Sequence, residues 1–282
     1  MRIVLSLSTL ALLTFATRLH AEDETKPTPK PLAGSPDWLK TYAFPQKEFT
    51  FVRIQFTSRN DRANPDFLFD AGQQRRVAAG RWATDYPDAD LNLSAQLAAE
   101  TSLKVDPKGK VMKLTDPKLP QFPFIYLCEP GALQFSEEEA KALRAYLDGG
   151  GFLMVDDFWG EQEWQNLLRQ MARVFPSVRI HELPLEHKIF HCAFDLKEKP
   201  QVVSIQHFLR GRKTERPDAP EAHYRAIFDE NGRMQVLICH NTDLGDGWER
   251  SEAAPQYFQE YSEKHAYPLG LNVIFFALTQ KK

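Results

Sequence analysis

The sequence predicts an α/β domain with a mainly parallel sheet. Three observations support this, all in residues 122–160, FPFIYLCEPGALQFSEEEAKALRAYLDGGGFLMVDDFWG. First, the apolar runs Phe124–Cys128 and 152–155 lack polar alternation, as strands buried on both faces do. Second, Ser136 and Glu139 have capping-box spacing, and Leu143 and Leu147 then share one helical face. Third, Gly149, Gly150 and Gly151 provide residues able to take positive φ and end that helix. Strand, helix and strand in this order make a βαβ unit, and such units build parallel sheets.

The first residues, MRIVLSLSTLALLTFATRLHA, form a signal-peptide pattern: Arg2, an apolar stretch over 3–16, and Leu19-His20-Ala21 before a cleavage point. Cleavage after Ala21 would leave Glu22 as the first mature residue. An uncleaved anchor is the alternative, but the apolar stretch falls short of the roughly 20 residues of a spanning helix. No later stretch is apolar enough to cross a membrane. The expected mature chain is exported, to the periplasm or the outside. Residues 22–37 are rich in proline, lysine and acids, which makes them a disordered spacer. Residues 38–282 remain for a single α/β domain.

Within that domain, FTFVRIQF at 49–56 reads as the first strand. The irregular segment 57–87 follows, and loops that long in a compact domain are often functional. Asp88 and Asp90 open a helix with Leu93 and Leu97 inward, the acids suiting the positive end of its dipole. After the βαβ unit, Trp164, Leu167, Leu168, Met171, Val174 and Phe175 repeat at helical spacing until Pro176. Short strands are expected at 178–182 and 202–205, and an exposed loop at 211–222. Asp229-Glu230-Asn231-Gly232 signals a hairpin between 224–228 and 234–239, and an apolar helix closes the chain at 269–278.

The formal charge of −3 excludes a basic nucleic-acid face. Arg210, Arg212, Lys213 and Arg216 are interleaved with Glu215 and read as a solvated loop. The three cysteines cannot all pair with one another. Cys128 and Cys239 lie in apolar runs and are expected as buried free thiols, while export leaves a Cys192–Cys239 disulfide open.

Taken together, RWATDYPDADLN, FPFIYLCEPG, GGGFLMVDDFWG, VFPSVRIHELPLEHKIFH and HNTDLGDGWE resemble the bacterial domain-of-unknown-function family 4159. The likeness runs over residues 49–279. It implies a class I glutamine amidotransferase-like fold, a flavodoxin-like α/β/α sandwich, and no established activity. Some relatives carry this domain behind a membrane-anchored region. Enzymes of that fold place a cysteine in a Gly-x-Cys-x-Gly elbow after a central strand. Here Asp156-Asp157 stands at the comparable position, and Cys128 has no elbow glycines, so thiol chemistry is not expected.

In open α/β sheets ligands bind beyond the carboxyl ends of the strands. That rule selects Thr57 and Ser58, Glu129, Asp156 and Asp157, His187, and His240, Asn241 and Asp243. Asp156 and Asp157 would share a site only if the strand has already ended, since consecutive strand residues face opposite ways. Otherwise Asp157 caps the next helix, as aspartate often does, and Glu161 only answers that helix's dipole. His187 and His191 are four apart, but Pro184 argues against the helix a metal pair would need. The loop NTDLGDGW misses the spacing of a calcium loop and reads as a turn held by its own aspartates. Trp82, Trp159 and Trp248 fall in loops, where they could face a sugar ring or pack at the edge of the core.

The leading expectation is an exported protein that binds a small polar or carbohydrate ligand at the carboxyl rim without thiol catalysis. Hydrolysis by Asp156 or Asp157 with His187 or His240, assisted by a divalent metal, is the enzymatic version of the same site. Crowded carboxylates would suit magnesium or calcium, and histidine would shift the preference toward zinc. A non-catalytic scaffold with a cell-envelope protein partner is the reading from another class.

Overall fold

A computed structural model of the chain describes residues 29, 31–45, 48–58, 67–70, 75–78, 80–177, 179–249 and 254–281. The signal pattern, most of the spacer and much of the segment 57–87 lie outside the described residues. Among the described residues the central sheet has seven strands: β1 Val52–Ile54, β2 Lys110–Met112, β3 Phe124–Cys128, β4 Phe152–Asp156, β5 His181–Glu182, β6 His223–Phe228 and β7 Met234–His240. Their order is β2-β1-β3-β4-β7-β6-β5. The first five are mutually parallel, and β6 and β5 extend one edge antiparallel. The parallel part has the flavodoxin-like strand order, with its switch point between β1 and β3.

The predicted βαβ unit is present. Helix α2, Glu137–Asp148, joins β3 to β4, and its capping box forms, with Glu139 N–H on Ser136 Oγ and Ser136 N–H on Glu139 Oε2. Of the three glycines after it, Gly150 is the one with positive φ, 102°. Alternate residues of the strands feed two layers, as the period of two requires. Ile125, Leu127, Leu153, Val155, Val236 and Ile238 pack under α2 and α3, Gly160–Val174. Phe124, Tyr126, Phe152, Met154 and Leu237 pack on the other face, under α1, Asp88–Glu100, and α5, Tyr267–Thr279. Between β7 and α5 lie the short helix α4, Leu244–Glu249, and a π-helical stretch, Phe258–Ala266.

Several expectations change. The segment 57–87 contains an antiparallel hairpin, Phe67–Asp70 with Arg75–Ala78. Residues 202–205 form no strand. Val202 is tied to the loop after β7, its N–H on Thr242 Oγ1 and its carbonyl accepting from Asp243 N–H. Ile205 then opens a short helix, with its N–H taken by Asp246 Oδ2. The loop expected at NTDLGDGW is largely helix α4. All three cysteines are free, so the Cys192–Cys239 bridge does not form.

Arg53, in the middle of β1, is fully buried on the α1 face. Its Nε and Nη2 donate to the Asp90 carboxylate on α1 at 2.6–3.0 Å. Asp90 therefore neutralises a buried cation, beyond the dipole role read from the sequence. Nη1 donates to the carbonyls of Trp82 (3.1 Å) and Thr84 (2.8 Å) and to Cys128 Sγ (2.9 Å). Removing one partner of a buried ion pair leaves an uncompensated charge. Asp90→Ala should lower the unfolding free energy by about 3–5 kcal/mol in urea denaturation. A loss within about 0.5 kcal/mol, the size of an ordinary surface substitution, would show that Asp90 does not hold Arg53.

Candidate functional site

Four chain segments meet at the carboxyl rim, and each places one polar residue in the left-handed region. These are Asp85 (φ 61°), Glu129 (49°), Asp157 (56°) and Asn241 (61°). Among the described residues no other non-glycine has positive φ. Such conformations cost on the order of 1–3 kcal/mol each and persist where the surrounding structure imposes them. Their grouping on one rim marks it as the place to look for function.

Strand β4 ends at Asp156, and Asp157 turns out of the strand, which is the condition for both to serve one site. Asp157 does not cap α3. There Trp159 N–H donates to Glu163 Oε2 (2.8 Å), Gly160 N–H to Asn241 Oδ1 (2.9 Å) and Glu161 N–H to Asp218 Oδ2 (3.1 Å). The Asp157 residue is 6% exposed, and among the described residues no hydrogen-bond donor meets its carboxylate. Asp156 Oδ2 accepts from Tyr126 Oη (3.0 Å) and Gly245 N–H (3.1 Å), whereas its buried Oδ1 has no hydrogen-bond partner among the described residues. Burial pushes the Asp156 carboxyl up to about 7 against the pull of these donors.

Asp85 was not singled out by sequence. It directly follows Thr84, whose carbonyl Arg53 holds, and its buried Oδ2 has no hydrogen-bond partner among the described residues. Gly245 makes room for it, because a Cβ there would lie 2.5 Å from Asp85 Oδ2. Asp243 Oδ1 accepts from Asp246 N–H (2.7 Å), so one of its oxygens holds the start of α4. Carboxylate oxygens of Asp85, Asp157 and Asp243 lie within 4.8 Å of one another, and so do those of Asp85, Asp246 and Glu249. Burial raises the pKa of Asp85, Asp157 and Asp243 well above the usual range, and their mutual repulsion raises it further. The partly exposed pair Arg81–Glu129 (2.8 Å) stands beside them. The arrangement is an acidic pit suited to a cation or a donor-rich group.

The other sequence candidates lie elsewhere or are occupied. The buried His240 donates from Nε2 to Gly160 O (3.1 Å), accepts at Nδ1 from Arg225 Nη1 (3.0 Å), and stacks on Phe158 and Trp164. Asn241 ties the start of α3 to Glu221 O through Nδ2 (3.0 Å). His187 packs on Phe276 and Phe228. Phe228 pairs with Met234, at the amino end of β7, so His187 lies at the opposite end of the sheet from the acids. Trp82, Trp159 and Trp248 are buried in the core, so none presents a face to a sugar. Two surface depressions, of about 510 and 540 Å³, contain none of the rim aspartates in their linings. Sequence reasoning missed Arg53, Asp85 and Asp246. A charged residue inside the apolar run 49–56 was the one available signal, and it pointed to Arg53.

The chain belongs to the family described as Domain of unknown function (DUF4159), whose model matches residues 73–278. That span contains every rim carboxylate named above. No curated protein matches the chain.

Two measurements follow from this geometry. Burial pushes the thiols of Cys128 and Cys239 well up and that of Cys192 to about 12, and the thiol is far less reactive than the thiolate. Native protein at neutral pH should therefore resist iodoacetamide by intact mass, and a stoichiometric adduct at Cys128 would contradict the account. His240 is held neutral, its pKa lowered from 6.5 to about 4 chiefly by burial. Between those values the unfolded chain binds the extra proton, so stability is kept above 6.5 and falls as pH drops toward 4. The His240 ring resonances should not move between pH 8 and 5 in NMR spectra; titration near the ordinary histidine value would refute this.

Proposed function

We propose that this chain is an exported, non-thiol ligand-binding domain whose small polar ligand sits at the carboxyl rim. One observation leads to this reading: aspartates from three separate segments converge there, and among the described residues no donor meets the Asp157 carboxylate or the buried oxygens Asp85 Oδ2 and Asp156 Oδ1. Unpaired buried charge is costly, and proteins retain it where it does chemical work. The ligand must then bring donors or positive charge. A sugar stacked on tryptophan fits poorly, because the three candidate tryptophans are in the core. Asp/His hydrolysis also fits less well, since His187 is remote and both His240 nitrogens are engaged.

The scaffold reading with a cell-envelope partner calls for an exposed apolar patch. Among the described residues the large exposed hydrophobics are Trp38 and Leu209, which belong to different parts of the fold. The export part of the proposal rests on the signal pattern at residues 1–21.

Calorimetric titration with amines, amino acids, polyols and sugar acids tests the binding reading. At least one should bind to wild type and bind Asp157→Asn at least tenfold more weakly. If no compound binds, or if Asp157→Asn binds as wild type does, the rim does not take a small polar ligand. Mass spectrometry of the protein exported by a bacterial host should find Glu22 as its first residue. A cell-retained chain that still carries residues 1–21 would overturn export.

A further inference from the structure

We propose that Asp85, Asp157 and Asp243 form a site for one hard divalent cation of the magnesium, calcium or manganese type. The inference rests on the rim reading above and identifies what occupies the pit. Its geometry suits an ion. The carboxylate oxygens of the three residues lie within 4.8 Å of one another. Oxygens on opposite sides of an ion with bonds of roughly 2.0–2.6 Å are about 4–5 Å apart. All three can therefore belong to a single coordination shell with little movement.

A second observation points to a ligand independently of the clustering. Asp157 is 6% exposed, and among the described residues its carboxylate meets no donor. The obvious local use for it, capping α3, is already filled by Glu163, Asn241 and Asp218. Beside it the buried atoms Asp85 Oδ2 and Asp156 Oδ1 have no hydrogen-bond partner among the described residues. Three segments supply the set: the turn before α1, the end of β4 and the end of β7. Asp85 and Asp157 reach it from left-handed backbone, and the missing side chain at Gly245 leaves room for Asp85.

The chemistry of the donors selects the ion. The set contains carboxylates only, with no imidazole or thiolate, which favours oxygen-seeking cations over zinc or copper. The overlapping set Asp85, Asp246 and Glu249 is the weaker choice. Asp246 Oδ2 already accepts from Ile205 N–H (2.6 Å) and Tyr257 Oη (3.1 Å). Three protein ligands leave coordination positions for water or for the polar ligand, beside the partly exposed Arg81–Glu129 pair.

The test uses the full mature chain, stripped with EDTA and then freed of chelator. Melting temperature is followed with magnesium, calcium, manganese or zinc chloride against potassium chloride of matched ionic strength. One of the three hard cations, at about a hundred times its Kd, should raise the melting temperature by roughly 5–10 °C. Calorimetry should give one ion per chain. Asp157→Asn and Asp243→Asn keep the side-chain shape, and circular dichroism establishes that they fold. Both should lose the shift at least tenfold in affinity, and Glu161→Gln, on an exposed helix position, should keep it.

No shift beyond the potassium control, a shift only with zinc, or a shift that survives both Asn variants would overturn the proposal. The same titration with organic ligands in EDTA separates the two readings. Cation binding with no organic partner leaves the ion site standing and removes the small-molecule reading. Tight organic binding at the aspartates in EDTA does the reverse.

Discussion

The buried guanidinium of Arg53 is the interaction on which the rest of the rim depends. It lies in the middle of a strand, fully buried, and uses its N–H groups in three directions. The bonds to Asp90 lock α1 against the sheet. Those to the carbonyls of Trp82 and Thr84 fix the turn that delivers Asp85. The bond to Cys128 Sγ joins that turn to the end of β3. A lysine could not replace it, because one ammonium cannot span these partners in a rigid fork. The same contact explains why Cys128 is structural: its sulfur accepts from Arg53 and its S–H points at the Trp82 carbonyl, 3.5 Å away.

Once Asp85 is fixed, the electrostatics of the rim follow. Asp85, Asp157 and Asp243 repel one another in a poorly solvated space, and Asp246, Glu249, Glu129 and Glu215 add to that field. Arg53 already has Asp90, and Arg81 already has Glu129. The α3 N-terminus, the other usual source of positive potential, is closed by other oxygens. Among the described residues the fold thus builds an acidic pit whose nearby cations and helix N-terminus are engaged by other groups. A protein that needed those carboxylates only for stability would be better served by neutral residues there.

The fold was legible where local signals and burial agree. The capping box at Ser136, the apolar runs at Phe124–Cys128 and 152–155, and the Asp229–Gly232 turn each specify an element without help from distant residues. The segment 202–205 misled because β-branched residues favour strands, while its backbone partners come from the distant Thr242, Asp243 and Asp246. At the site, Asp156, Asp157 and Asp243 were legible from the rule about strand ends. His187 was not, because a connection that returns to the amino end of an antiparallel edge carries no local mark of direction. Of the two readings open for the loop tryptophans, packing is the one found: α4 folds back on the core, so Trp248 packs against Phe51 and Tyr126. Asp85 directly follows no strand of the central sheet, and the long-range hold of Arg53 on Thr84 fixes the turn that carries it.

The most direct test of this account is crystallographic. Crystals of the chain soaked in manganese chloride should show one anomalous difference peak within bonding distance, about 2.0–2.6 Å, of carboxylate oxygens of Asp85, Asp157 and Asp243. A fully soaked crystal with no peak there, or with its strongest peak away from these three residues, would contradict it.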